Sequence, residues 1–551
     1  MKNPASFSAV TVLFCLAAVS AHAVPSHLWS KRFGDTGFDI GYAVALDGSD
    51  NVCLAGYFNG TVDFGGGNLA SAGSNDVFLA KYDAGGAHVW SKKFGAGGFD
   101  DAYGVAVDGG DNVYVVGYFN GTVDFGGGGL VSAGSGDMFI AKYNSAGTHL
   151  WSKRFGSTLL DLGLGVAVDG SNNVLLTGSF RGTVDFGGGG LVAPGGSDVV
   201  VAKFDANGNH VWSQRFGSTL SEAGNTVAVD ASGNVIVGGQ FQGTVSFGGG
   251  ALVASSTDMF LAKYNSAGLH QWSVDFGGTG SDIGLAAAVD VSGNVFYTGY
   301  FSDTVNFGGG NRVSVGGTDI FLAKYSSAGA HQWSHAFGSA LNDEGKGVAV
   351  DSDLNVTMTG EYQDTIDFGG GGLMSAGTWD MIVATYDAAG VHQWSQRFGS
   401  TEADGGRSIA VDGSDNLLVS GQFRLTVDFG GGGLMSAGQT DVLVIKYGSA
   451  ATGLGSTPKA ALAVSSFPNP FNPRTTIRYA LPSDGPVTVT VFDANGARVA
   501  TLVEGEFRVA GDHRVDWNGR SAGHTLVSSG VYFVRVEQHG VTQSAKMVLL
   551  K

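Results

Sequence analysis

The sequence predicts an all-β chain, and three observations predict it. Tryptophan recurs at Trp29, Trp90, Trp151, Trp212, Trp272, Trp333 and Trp394, at equal intervals apart from one that is a single residue shorter. Glycine is abundant, 93 residues against 9 prolines in 551, which suits many turns and few long helices. Between the turns lie short apolar runs of strand length, such as Met138-Phe139-Ile140-Ala141. Self-similarity at a fixed period marks a repeat architecture and outranks any local signal.

The second unit shows the elements in order. His88-Val89-Trp90-Ser91 opens one short strand, Val105-Ala106-Val107 a second, Asn112 to Val116 a third, and Met138 to Ala141 a fourth. Asp108-Gly109-Gly110-Asp111-Asn112 and Asn144-Ser145-Ala146-Gly147 are hairpin-type turns between them. The fourth strand is apolar on both faces, so its sheet is covered on both sides. Small residues fill the second strand, whereas the first carries Trp90, Lys92 and Lys93. That gradient describes a wedge, with small side chains where sheets converge on an axis, and four short strands per wedge make a β-propeller blade. The array opens on the tryptophan strand, His27 to Phe33, and closes at Tyr447 without one, so residues 402–447 and 27–33 complete a seventh blade and lock the ring. A parallel β-solenoid competes, but the repeat is long for one coil.

The composition bounds the rest. A net charge of −18 argues against nucleic acid and against anionic membrane surfaces, which need clustered Lys and Arg. Lys2, the apolar run Phe7 to Val19 and Ala21-His22-Ala23 form a secretory signal in residues 1–23. No later run is long enough to span a bilayer. Beyond the signal only Cys53 remains, a buried small hydrophobe within Val52-Cys53-Leu54.

On the segments GYFNGTVDFGGG, DMFIAKYNSAG and THLWSKRFG, the repeats resemble the bacterial SBBP family, which implies a seven-bladed propeller, residues 24–447, in an exported protein. After a small-residue linker, 448–465, the segment 466–551 alternates strands and turns in the manner of a small β-sandwich. Its FPNPFNP at 467–473, Asp516-Trp517-Asn518-Gly519, Ser529-Gly530-Val531-Tyr532-Phe533 and terminal KMVLLK resemble two related families. These are the C-terminal sorting domains of type IX secretion substrates and the Ig-like domain of flagellar hook-capping proteins. The resemblance implies export through outer-membrane secretion machinery and release or surface attachment.

Candidate ligand-binding residues recur ten positions after each tryptophan: Asp39, Asp100, Asp161, Glu222, Asp282, Asp343 and Asp404. If the following strand lines the axis, seven carboxylates ring one mouth, where they can hold a hard cation such as Ca²⁺. The competing reading, which repetition favours, is that each carboxylate caps backbone N–H groups in its own turn. The turn Asp47-Gly48-Ser49-Asp50-Asn51 resembles the start of a calcium loop but lacks its later ligands, so an Asx turn is preferred. His27, His88 and their five equivalents lie too far apart for one zinc and are assigned to packing. The glycine-rich loops, such as GTVDFGGGGLVSAG at 121–134, lack the Lys and following helix of a phosphate loop. Unrepeated polar residues are few: Arg181, Asp275, Arg312, His335, Glu361, Trp379, Arg407 and Arg424. Trp379 is a possible stacking platform, and no nucleophile–base set is recognisable. The expectation is a secreted, non-enzymatic binding scaffold for a surface protein or glycan, with no cofactor beyond a possible Ca²⁺. The alternatives are a polysaccharide lyase or glycosidase with its site at the mouth, and a calcium-stabilised structural protein.

Overall fold

A computed structural model describes residues 24–448, 463–467, 471–481, 485–508, 511–523, 525–538 and 541–550. The predicted signal sequence and most of the predicted linker lie outside the described residues. The chain divides into two compact units, 1–450 and 451–551.

In the first unit the described residues form seven four-stranded antiparallel sheets, one per repeat. Sheet 1 runs from Ile40–Leu46 through Val52–Phe58 and Asp76–Tyr82 to His88–Phe94. The two middle strands are buried along nearly their whole length, which explains their unbroken Val, Phe, Leu and Ala content. Sheet 7 takes its outermost strand from the start of the chain, His27–Phe33, which pairs antiparallel with Asp441–Tyr447. The first strands of the sheets touch in succession: Ile40–Leu46, Asp101–Val107, Leu162–Val168, Ala223–Val229, Ile283–Val289, Glu344–Val350 and Gly405–Val411. The last of these touches the first.

The glycine-rich segments pack sheet against sheet. In the second repeat, Thr122–Asp124 pairs with Gly129–Val131 to form a hairpin, and Asp124 Oδ1 accepts the N–H groups of Gly126 and Gly128. Phe125 is fully buried, stacked 4.4 Å from Phe139 of its own sheet and tilted against Phe94 of the preceding one at 5.4 Å. Gly126 has φ +113°, and a Cβ there would lie 2.8 Å from the Cβ of His149. The recurrent histidine is thus the floor on which the glycines rest, and it needs no metal to explain it.

A second device joins neighbouring sheets on the opposite edge. The turn carboxylate Asp108 accepts N–H bonds from Gly110 and Asn112 and meets the buried Lys142 ammonium at 3.0 Å. Lys142 also donates to the carbonyl of Ala206 in sheet 3, as does Trp151 Nε1 at 3.1 Å. The same Lys–Asp pair occurs at Lys81–Asp47, Lys203–Asp169, Lys263–Asp230 and Lys446–Asp412. In sheet 6 threonine stands in the lysine position, Thr385 pairs with Thr357, and Trp394 Nε1 is buried without a hydrogen-bond partner. Removing one member of a buried pair strands the other, so Lys142→Met is expected to cost about 3–5 kcal/mol, read from urea unfolding. A loss under about 1 kcal/mol, the worth of an exposed pair, would show that the ammonium is not what balances Asp108.

The second unit is a sandwich of a three-stranded and a four-stranded sheet. The three-stranded sheet is Ala463–Phe467, Thr475–Leu481 and Gly511–Trp517; the other is Arg498–Arg508, Gly485–Asp493, Gly530–Gln538 and Val541–Leu549. Along Gly530–Gln538 buried and exposed side chains alternate, as expected of a sheet with one face on a core and one in water. Among the described residues no helix is long and apolar enough to cross a membrane.

Candidate functional site

Each first strand of the seven sheets carries a β-bulge at the same place. In sheet 1 Gly41 pairs with Gly56 and Ala43 with Ala55, which leaves Tyr42 unpaired. The same skip leaves out Tyr103, Leu164, Asn225, Leu285, Lys346 and Arg407. A glycine at a fixed distance after each tryptophan seats the bulge: Gly56, Gly117, Gly178, Gly239, Gly299, Gly360 and Gly421. A Cβ on Gly56 would lie 1.9 Å from the carbonyl oxygen of Ile40. A bulge re-aims one side chain out of the pleat. The seven bulged residues and the two that follow each of them line one cavity of about 230 Å³, to which every sheet contributes.

The backbone device is repeated, but the side chains it presents are not. Sheets 6, 7, 1 and 2 supply a continuous arc of charge and aromatic rings. Lys346 ion-pairs with Glu344 and lies 3.6 Å from Glu361, which is opposite Glu344 in the strand register. Arg407 reaches Glu361 at 3.4 Å, donates to Gln422 Oε1 at 2.8 Å and lies 6.0 Å from the Tyr42 ring. Tyr42 packs 5.8 Å from Tyr57 and 5.1 Å from Tyr103, and Tyr103 stacks 6.0 Å from Tyr118. Asp101 accepts from Asn75 Nδ2 at 3.0 Å and from Tyr103 Oη at 3.3 Å; burial nevertheless raises its carboxyl above the usual range. On the remaining arc Leu164 and Leu285 flank Asn225, which donates to Gln240 and to the carbonyl of Gly284. Phe38 and Phe99, 44% and 55% exposed, stand three positions before Gly41 and Ala102, the residues that precede the bulge in their strands. Arg424 lies 5.7 Å from the Phe38 ring.

The seven predicted acids lie beside the strand starts, and all are buried. Asp39 accepts the N–H of Asp35 on Oδ2 at 3.0 Å and that of Asn59 on Oδ1 at 2.9 Å. Asp100, Asp161, Asp282, Asp343 and Asp404 repeat this, each bonded four positions back and twenty positions on. Glu222 binds the N–H and hydroxyl of Ser218 instead. Burial pushes Asp39 up to about 7 and the other five Asp up to about 6. Among the described residues no group of three or more His, Cys, Asp or Glu is placed to hold a metal ion. Cys53 is fully buried, its thiol pushed up to about 12 by desolvation, and is inert as a nucleophile. Trp379 is half-buried; its backbone bridges Ala403 and accepts from the N–H of Asp404. Of the mouth arc, only Arg407 and Glu361 stand out in the sequence. The missing signal lies thirteen positions after each tryptophan, where the copies read Tyr, Tyr, Leu, Asn, Leu, Lys, Arg.

The second unit has its own diagnostic core. Trp517 is buried between Phe471 at 5.5 Å and Tyr532 at 5.1 Å, and its Nε1 donates to the carbonyl of Arg520. Phe471 is tied into the last strand by backbone bonds with Val548 and Leu550. Residues 472–540 match the FlgD Ig-like domain family. Within this FlgD Ig-like segment Tyr532 Oη donates back to the carbonyl of Ser528 at 2.7 Å, which fixes the entry to its strand. Over the chain as a whole, relatives are distant. An uncharacterised WD repeat-containing protein of Acanthamoeba polyphaga mimivirus is 22% identical over 499 residues, covering 72% of this chain and 36% of that protein. The regulatory protein FlaEY of Caulobacter vibrioides is 29% identical over 165 residues, 28% of this chain and 17% of its own length. The chain thus spans about a third or less of the length of these curated relatives. Among solved structures, PorZ of Porphyromonas gingivalis, described as a surface component of the type IX secretion system, has a TM-score of 0.28 at 13% identity, covering 94% of this chain and 75% of its own. Sqt1 of Chaetomium thermophilum has a TM-score of 0.36 at 10% identity, covering 77% and 99%. Scores this low carry no functional argument.

Proposed function

We propose that the chain is a secreted or cell-surface, non-enzymatic binding scaffold whose ligand sits over the mouth of the cavity. In this reading residues 24–447 form a seven-bladed β-propeller of SBBP-type repeats locked by the N-terminal strand. Residues 1–23 are its signal sequence, 448–465 its linker, and 466–551 the domain through which outer-membrane machinery exports it. The observation that carries the reading is the bulge. Seven identical backbone devices aim side chains of five different kinds at one cavity, and a structural role alone would not require them to differ. The acids of the arc are held by Lys346, Arg407, Asn75 and tyrosine hydroxyls, which suits recognition better than proton transfer. The seven buried acids, still the candidates for a bound Ca²⁺, already serve backbone donors with their oxygens, which weighs against a cation there.

A glycan-active enzyme is the second reading, and the asymmetry of the mouth favours it. Glu344 and Glu361 are cross-strand partners, and both carboxylates reach Lys346, which brings two acids to one side of the mouth. Glycosidases use such a pair of carboxyl groups. Release of reducing sugar by the full chain, lost in Glu361→Gln, would establish that reading and end the non-enzymatic one. For the scaffold reading, full chain and an Arg407→Ala variant are compared on a combined glycan and protein array. The expected result is a ligand bound by the first and lost by the second. Export is tested by deleting residues 457–551: protein that still leaves the cell removes the C-terminal domain from the export role.

A further inference from the structure

Building on the mouth as the binding site, we infer that it takes the uncharged terminal ring of an oligosaccharide, inserted end-on along the cavity axis. Size is the first constraint. About 230 Å³ is less than the roughly 300–1,000 Å³ of pockets that enclose a whole small ligand, so a single ring enters and the rest of the chain stays outside. The apolar lining is the second. Two positions past each bulge the cavity is lined by Val, Ala or Ile, as at Val44, Ala287 and Ile409, side chains with no partner for a charged group.

The walls fix the polarity. On one side Tyr42 and Tyr103 line the cavity, packed against Tyr57 and Tyr118, and give it an apolar body and a polar edge in one side chain. A pyranose has the same division, with C–H groups on its faces and hydroxyls around its rim. Next to Tyr42 the cavity-lining Arg407 presents its planar guanidinium, held by Glu361 and Gln422. Planar forks of this kind bind pairs of adjacent polar atoms, as vicinal hydroxyls are. The charges are the third constraint. Two acids, Glu344 and Glu361, face two bases, Lys346 and Arg407, whose side chains are only 17% and 20% exposed. A ligand bearing its own full charge, such as a peptide terminus, a uronic acid or a phosphate, would have to break an existing partly buried pair to be neutralised. An uncharged polyol can add hydrogen bonds to that network and leave it intact.

The test uses the full chain on an array of neutral, sialylated, uronic-acid and phosphorylated oligosaccharides together with short peptides, followed by titration calorimetry on the best binder. The expected result is binding confined to neutral termini, weakened at least tenfold by Tyr103→Ala and by Arg407→Ala, with melting temperatures kept as a check on folding. Tyr103→Phe, which keeps the ring, should retain most of the affinity. Methylating the hydroxyls of the terminal residue should abolish binding, whereas the same change at an internal residue should not. An array with no neutral binder overturns the inference. Binding of an acidic glycan or peptide that Tyr103→Ala abolishes overturns the ligand class but leaves the mouth as the site. Binding of a neutral glycan that none of the variants affects overturns both.

Discussion

Deleting residues 24–33 is expected to remove the cooperative thermal transition of the repeat unit. The strand His27–Phe33 supplies the whole outer edge of sheet 7, pairing with Asp441–Tyr447 from Trp29 opposite Lys446 to Phe33 opposite Val442. Phe33 is 7% exposed, stacked 5.2 Å from Tyr82 and tilted against Phe64 at 5.4 Å, so it fills the seam between sheet 7 and sheet 1. Trp29 Nε1 donates to Ala84 of sheet 1, and Arg32 ion-pairs with the buried Asp441. Truncating one buried phenylalanine costs about 3–5 kcal/mol, already a large part of the roughly 5–15 kcal/mol that holds a domain together. The deletion also turns a fully buried strand into an exposed edge, a template for aggregation. Calorimetry and gel filtration of the truncated chain should show loss of the transition and soluble aggregates, and a peptide of residues 24–34 added in trans should restore it. A truncated chain that melted cooperatively within a few degrees of the full chain would show that sheet 7 holds without its N-terminal edge.

Much of this architecture can be read from the sequence because the repeats report it seven times over. Tryptophan marks the outermost strand, small residues mark the first, and runs without alternation mark the buried middle pair. The site is a different matter. The glycine that keeps a fixed distance from tryptophan is visible as a repeat, but that it seats a bulge depends on cross-strand register, which only the paired backbone displays. Without the bulge, Tyr42 or Lys346 is one residue of a strand whose facing is unknown, and the changing residue thirteen positions after tryptophan passes for drift. The acids erred toward the opposite impression. Their spacing points to a mouth, but the N–H groups that occupy them arrive from residues twenty positions later, as Asn59 does for Asp39. The sequence shows seven carboxylates and conceals their partners.

Six of those carboxylates, together with the buried Asp198 and Asp319, set the second large expectation: stability should fall as pH rises from 5 to 8. Burial raises Asp39 to about 7 and Asp100, Asp161, Asp198, Asp282, Asp319, Asp343 and Asp404 to about 6, all from an ordinary value of 3.8. Between 3.8 and these values the folded chain holds protons that the unfolded chain has released. Stability then decreases with pH, being fully present below the unfolded value and lost as pH passes through 6 to 7. The turn acids act oppositely. Despite the cost of burial, Asn112 and Lys142 hold Asp108 below its usual value, and Asp47, Asp169, Asp230 and Asp412 behave alike. Their contribution is present above 3.8 and lost as pH falls through their lowered values. The two sets together place the stability maximum near pH 4 to 5, below the near-neutral range common for proteins. Differential scanning calorimetry of the full chain across pH 3 to 8 should show the highest melting temperature in that window. Asp39→Asn removes the group that titrates latest, so it should flatten the fall between pH 6 and 7. It should also lower stability at pH 4, because the amide NH2 group cannot accept the N–H that the second oxygen of the carboxyl group takes from Asp35 or Asn59. A melting temperature that climbed steadily from pH 5 to 8 would mean that water or a cation reaches these carboxylates and keeps them ionised, and the buried-acid account of the ring would fall with it.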